Sequence, residues 1–190
     1  MKIIILASGN GSNAENIIRK IQDNSIKNVE ITALISDKEN AFALKRAENL
    51  NVNAYFVDPL KKGAFFSEEG ANNYINAFET EKPDIIVLAG FMKILPEFIT
   101  KKYKGKIINL HPSLLPSFKG KDGIGDAFRY GVKVGGCTVH YVNEELDSGT
   151  IIDQEVVLIS QNDTLESYTS KIHQAEYILY PRVLNNLANK

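Results

Sequence analysis

The sequence predicts an α/β protein built on a doubly wound, mostly parallel sheet, with a late antiparallel strand pair and a long C-terminal helix. Through the first 110 residues, short β-branched runs alternate with amphipathic stretches, the rhythm of successive βαβ units. Those runs are apolar on both faces, as strands covered by helices on each side must be. After His111 the rhythm changes to a glycine-rich loop, a short helical stretch and two longer strand patterns that extend the sheet.

Strands are expected at 2–7, 29–36, 53–57, 84–89 and 106–110, with helices between them and right-handed crossovers. The first helix starts near Ala14, behind Ser8-Gly9-Asn10-Gly11-Ser12-Asn13. A short helix lies near 127–130, and the last strands fall at 137–143 and 150–158. Asp163-Thr164-Leu165-Glu166 has capping-box spacing, and Leu165, Tyr168, Ile172, Ala175 and Leu179 then recur every three or four residues. This predicts the long final helix, kinked at Pro181.

With 190 residues, 44% of them hydrophobic and 24% charged, residues 1–190 suit one domain with a sizeable core that needs neither disulfides nor metal. Net charge is −1, and the only basic cluster, Lys101-Lys102-Tyr103-Lys104, reads as a helix end, so no nucleic-acid partner is expected. A single cysteine, Cys137, and three scattered histidines make no zinc spacing. The apolar start, residues 1–6, is too short for a signal core or a membrane span. The expectation is a soluble, cytoplasmic protein, monomeric or homodimeric, without a membrane partner.

Asn109-Leu110-His111-Pro112-Ser113-Leu114-Leu115-Pro116 is the most informative stretch. An apolar strand ends in an amide and an imidazole spaced two apart, hence on one face, and Pro112 stops the strand there. Burying such groups is unfavourable unless something uses their hydrogen bonds, which points to a reaction site. Ser8 to Asn13 is the second. Gly9 and Gly11 permit a tight turn, and the following helix N-terminus offers unpaired N–H donors, so the loop suits a phosphate. Ser12 and Glu15 also have capping-box spacing. The loop fits the looser dinucleotide fingerprint too, with Asp37 as ribose partner, which makes a dehydrogenase one rival.

In a doubly wound sheet, ligands bind beyond the carboxyl ends of the strands where the order reverses, commonly between the first and fourth strands. Ala89-Gly90-Phe91-Met92 and Asn109/His111 would both lie there, beside the glycine loop. Phe91, Met92, Ile94 and Leu95 offer apolar walls for a ring. Asp147, in Asn143-Glu144-Glu145-Leu146-Asp147-Ser148-Gly149, has an ordinary turn context, although Leu146 suggests that the loop folds inward.

These motifs, with Thr138-Val139-His140 and Leu146-Asp147-Ser148-Gly149, stand in one order along nearly the whole chain. In that order the chain resembles the phosphoribosylglycinamide formyltransferase family of purine synthesis, with its Rossmann-like formyltransferase fold. The Asn-x-His-Pro-Ser-Leu-Leu-Pro run marks the wider formyltetrahydrofolate-using superfamily, and Gly-Asn-Gly-Ser-Asn the members that accept a sugar phosphate.

The resemblance implies transfer of a formyl group from 10-formyltetrahydrofolate, a co-substrate, to the amine of glycinamide ribonucleotide, with no metal. It implies that Asn109, His111 and Asp147 are catalytic, that Gly11, Ser12, Asn13, His173 and Glu176 bind the ribonucleotide, and that Met92, Lys93, Ile94, Leu95, Asn109 and the loop of Asn143, Glu144, Glu145, Leu146 and Asp147 bind the folate.

Two segments depart from the family pattern. Ser67-Glu68-Glu69 stands where relatives carry an arginine for the folate's glutamate tail, leaving Lys61 or Lys62 as substitutes. Ser117 to Gly125 has extra glycines where relatives begin a histidine-containing helix, which suggests mobility. Among rivals, formyltetrahydrofolate deformylase adds an N-terminal domain and methionyl-tRNA formyltransferase a tRNA-binding one, and neither is expected here. A dehydrogenase or plain nucleotide-binding module leaves the polar strand end unexplained.

Overall fold

The computed structural model describes residues 1–189. Its elements in chain order are β1 (Lys2–Leu6), α1 (Ser12–Gln22), β2 (Glu30–Ser36), α2 (Phe42–Asn49), β3 (Ala54–Phe56), α3 (Glu68–Glu81) and β4 (Ile85–Leu88). After them come α4 (Glu97–Lys102), β5 (Ile107–His111), α5 (Gly123–Tyr130), β6 (Val134–Tyr141), β7 (Ile151–Leu158) and α6 (Leu165–Ala188). One sheet holds all seven strands in the order β3-β2-β1-β4-β5-β6-β7. The first five pair in parallel; β6 runs antiparallel to β5, and β7 antiparallel to β6. The order reverses between β1 and β4, where the sequence places it.

Two apolar layers flank the sheet, as strands apolar on both faces demand. Ile3, Ile5, Leu34, Val87 and Ile108 pack under α1, α2 and α6, while Ile4, Leu6, Ile35, Ile86 and Ile107 face Tyr74 and Phe78 of α3. Burying a Leu- or Ile-sized side chain contributes about 1.5–3 kcal/mol, so these central strands form the rigid frame of the molecule. Pro181 sits inside α6, which continues through it for 24 residues. Proline lacks an N–H, so the Tyr177 carbonyl one turn back loses its usual donor, and Asn16 Nδ2 supplies one at 3.0 Å.

Several boundaries differ from expectation for local reasons. Helix α1 begins at Ser12, and its cap is Gly11 with φ +74° and no side-chain cap bond, so the expected Ser12/Glu15 box is absent. The C-terminal capping box lies one residue later than read, pairing Thr164 with Ser167. Helix α5 starts at 123 rather than 127, because Asp122 accepts from Gly125 N and caps it. No helix among the described residues is long and apolar enough to cross a membrane.

Candidate active site

Register builds the site. Strands β5 and β6 pair Asn109 with His140 and His111 with Thr138, so two polar pairs, each spaced by two, meet on one face. Asn109 Nδ2 lies 3.3 Å from His140 Nε2, and His140 Nδ1 lies 2.9 Å from the Tyr141 carbonyl. A carbonyl only accepts, so the His140 proton is on Nδ1, and Nε2 presents a lone pair to the Asn109 amide. Burial holds the His140 pKa below its ordinary value of 6.5, against the Tyr141 carbonyl and Asp147, which raise it; His111 and Lys119 add to the lowering. The ring is therefore a neutral acceptor that fixes how Asn109 is turned.

His111 is 4% exposed, and both its nitrogens face acceptors. Nε2 donates to the Phe118 carbonyl at 2.9 Å, and Nδ1 stands 3.4 Å from Asp147 Oδ2. That is the environment an imidazolium needs. Asp147 also approaches His140 Nε2 at 3.8 Å and accepts from Gly120 N at 2.9 Å.

Its loop folds inward as expected, but the buried residue is Asp147, at 8% exposure, and Leu146 is 57% exposed. Two features of the chain force this. Asp147 takes φ +49°, and Gly149 lies so close to the β6 backbone that a Cβ would come within 1.6 Å of the Tyr141 carbonyl oxygen.

The turn after β5 is locked by Thr138. Its hydroxyl donates to the Ser113 carbonyl at 2.6 Å and accepts from Leu115 N at 3.0 Å and Gln154 Nε2 at 2.9 Å. The segment from Ser117 to Gly125, expected to be mobile from its glycines, is tethered by the Phe118 and Gly120 contacts and by Lys119 Nζ on Ser148 Oγ at 2.5 Å.

The glycine loop lies at the reversal point. Ser8 N donates to the Gly90 carbonyl at 3.1 Å and Ser8 Oγ accepts from Met92 N at 2.7 Å, stitching the loop to the end of β4. The first-turn amides of α1 meet no capping side chain, which leaves them free for an anion. Asn13 Nδ2 donates to Glu176 Oε2 at 2.9 Å, while Asn13 Oδ1 is buried without a partner among the described residues. Glu176 is buried and its pKa is raised chiefly by that burial, with Asn13, His173 and His111 pulling the other way. His173, three residues back, is exposed. The Asn13–Glu176 bond ties α6 to the glycine loop.

The remaining predicted contacts divide. Phe91 and Leu95 belong to the core beside Phe66 and Tyr74, whereas Met92 and Ile94 are 59% and 41% exposed. Lys93 Nζ donates to the Lys61 carbonyl at 2.6 Å, at the edge of an open cleft of about 500 Å³ that also holds Lys38, Lys61, Lys62, Asp37 and Asp58. Glu68 and Glu69 occupy the first turn of α3 behind the Ser67 cap, where negative charge suits the helix dipole. Asp37, just after β2, has one carboxylate oxygen buried and unpartnered among the described residues. Sequence reasoning gave His140 and Thr138 no role of their own, although their two-residue spacing repeats that of Asn109 and His111 and could have flagged a facing strand.

Residues 1–184 match the family described as Formyl transferase. The chain belongs to that family. It is 40% identical over 189 residues to "Phosphoribosylglycinamide formyltransferase" of Bacillus subtilis (strain 168), covering 98% of this chain and 94% of the relative. It is 39% identical over 192 residues to "Trifunctional purine biosynthetic protein adenosine-3" of Chironomus tentans, covering 99% of this chain and only 14% of that longer protein. The crystal structure of phosphoribosylglycinamide formyltransferase from Bacillus halodurans superposes with a TM-score of 0.92 at 38% identity, over 100% of this chain and 96% of that one. These likenesses agree with the mostly parallel sheet, its antiparallel end and the long final helix.

Proposed function

We propose that the chain transfers the formyl group of 10-formyltetrahydrofolate to the amine of N1-(5-phospho-D-ribosyl)glycinamide in purine synthesis. The acceptor is supported by the names of its relatives and by the uncapped α1 N-terminus, with Gly11, Ser12 and Asn13 for the phosphate and Asn13, Glu176 and exposed His173 beside it. The donor is supported by the family and by the exposed apolar side chains of Met92 and Ile94, which follow β4, and of Leu146, next to Asp147. The observation that carries the reading is the meeting of Asn109, His111 and Asp147, from a strand end and a folded-back loop, around one small volume.

The amine nitrogen attacks the formyl carbon, a new C–N bond forms, and the carbonyl oxygen becomes an oxyanion. Asn109 Nδ2 donates to it, and the His111 imidazolium joins by turning its Nε2–H from the Phe118 carbonyl to the oxyanion; one such donor is worth about 3 kcal/mol in the transition state. Asp147 orients the His111 ring through Nδ1 and, through water, takes the proton lost by the amine. His111 protonates the folate nitrogen as the old C–N bond breaks. Atoms and charge balance without a redox step. Lys93, Leu95 and the loop from Asn143 to Asp147 complete the donor side, with Lys61 and Lys62 nearest to take a glutamate tail.

The test follows formyl transfer spectroscopically with and without acceptor, using wild type, His111→Ala and Asp147→Ala. Acceptor-dependent turnover that falls at least a hundredfold in both variants, with unchanged circular dichroism, is the expected result. Wild-type-like turnover in either variant refutes the assigned roles. Equal donor loss without acceptor identifies a hydrolase instead.

A further inference from the structure

The glycine loop does not shape itself. Helix α2 packs behind it: Ala43 N donates to the Gly9 carbonyl at 3.0 Å, and a Cβ on Gly11 would stand 2.5 Å from Ala43 Cβ. From one turn further along α2, Arg46 grips the turn itself. Its Nε donates to the Asn10 carbonyl at 2.9 Å and its Nη2 to Asn10 Oδ1 at 3.0 Å. The third arm, Nη1, pairs with Glu15 Oε2, and the guanidinium lies 4.7 Å above the Phe42 ring. The Arg46 side chain is 25% exposed and that of Glu15 19%, so solvent screens the pair only in part. Glu15 sits in the first turn of α1, where a bare carboxylate would oppose an incoming phosphate.

We propose that Arg46 is a positioning residue for phosphate recognition. It fixes the Asn10 turn so that the amides from Gly11 to Asn13 point outward, and, with Arg19 on the other carboxylate oxygen at 2.7 Å, it neutralises Glu15 so that the helix N-terminus stays attractive to a dianion. Its three arms are all committed, so it acts through the loop and touches no reacting atom. Lysine keeps the charge but lacks the planar fork, so it serves the electrostatic role and loses the geometric one. The inference rests on the ribonucleotide reading of the site given above.

The experiment compares kcat and KM for the ribonucleotide and for the same acceptor without its phosphate, in wild type, Arg46→Met, Arg46→Lys and the double variant Arg46→Met/Glu15→Gln. Thermal melting with and without inorganic phosphate runs alongside. Arg46→Met should raise the ribonucleotide KM on the order of tenfold, the scale of one charge-assisted contact, and leave kcat, the donor KM and the phosphate-free acceptor within about twofold. Arg46→Lys should fall between, and Glu15→Gln in the methionine background should recover part of the loss. Arg46→Met lowering kcat/KM equally for both acceptors, or for neither, overturns the proposal. If Arg46→Met proves unstable, the same comparison in Arg46→Lys decides the matter. If wild type uses neither acceptor, the functional reading falls on its own. The inference then stands or falls on whether phosphate raises the melting temperature of wild type more than that of Arg46→Met.

Discussion

The contact between Asn109 and His140 makes a quantitative claim about catalysis. The Asn109 amide has two N–H bonds: one is aimed at the His140 lone pair at 3.3 Å, which leaves the other for the oxyanion of the proposed reaction. Asn109→Ala removes that donor, and a preorganised oxyanion donor is worth roughly 10²–10³ in kcat, about 3 kcal/mol. His140→Phe keeps an aromatic ring and removes the anchor, together with the Nδ1–H bond to the Tyr141 carbonyl. The anchoring bond is long and neutral, so its net worth is about 1 kcal/mol, roughly a fivefold loss. Because His140 acts through Asn109, adding His140→Phe to Asn109→Ala should cost nothing more in kcat. Single-turnover formyl transfer by the two single variants and the double variant measures all three losses. Fully multiplicative losses, or a His140→Phe defect as large as that of Asn109→Ala, would refute the reasoning.

Two further outcomes follow from burial and charge. Glu176 has its folded pKa raised above the ordinary 4.5, mainly by burial, so the native state holds a proton that the unfolded chain gives up. Its contribution to stability is full below about pH 4.5 and is lost as pH rises through the raised value; Glu176→Gln should therefore gain stability relative to wild type with rising pH, read by urea melts across that range, and parallel curves would contradict this. The lysines near the open cleft should matter only for long-tailed donors: Lys61→Gln/Lys62→Gln should raise the KM of a polyglutamylated donor severalfold and steepen less with salt than wild type, with the monoglutamate unchanged, and an equal effect on both donors would remove the lysines from the tail's path.

Much of the frame was legible because it rests on short-range patterns. Runs such as Ile3-Ile4-Ile5 and Ile85-Ile86-Val87 are apolar on both faces and flanked by helical periodicity, which leaves few arrangements other than a parallel sheet with two covered sides. Asn109 and His111 announced themselves as polar residues closing an apolar strand. What failed to show was set by partners distant in sequence. Asp147 reads as a turn residue until Gly149 meets the β6 backbone, and Leu146, the residue that suggested burial, is the one left outside. The missing Ser12/Glu15 box has in part the same origin: Glu15 is taken by Arg19 one turn on, a pair that local spacing allows, and by Arg46 of α2, which local spacing does not reveal.

Antiparallel β6 explains why the chemistry gathers where it does. A parallel strand beside β5 would reach the site chiefly through the loop after its carboxyl end, whereas β6 lies alongside β5 and sets Thr138 and His140 opposite His111 and Asn109. Such pairing is sensitive to register, since a slip of one residue would turn Val139 to the polar face and both polar residues to the apolar one. Thr138 opposes that slip through three hydrogen bonds, two of them to the turn between Ser113 and Leu115 that follows β5. The threonine that holds the register thus also fixes the exit of the chain from His111. One side chain secures both the facing pair and the turn, so the site's precision derives from the rigid sheet rather than from the loops around it.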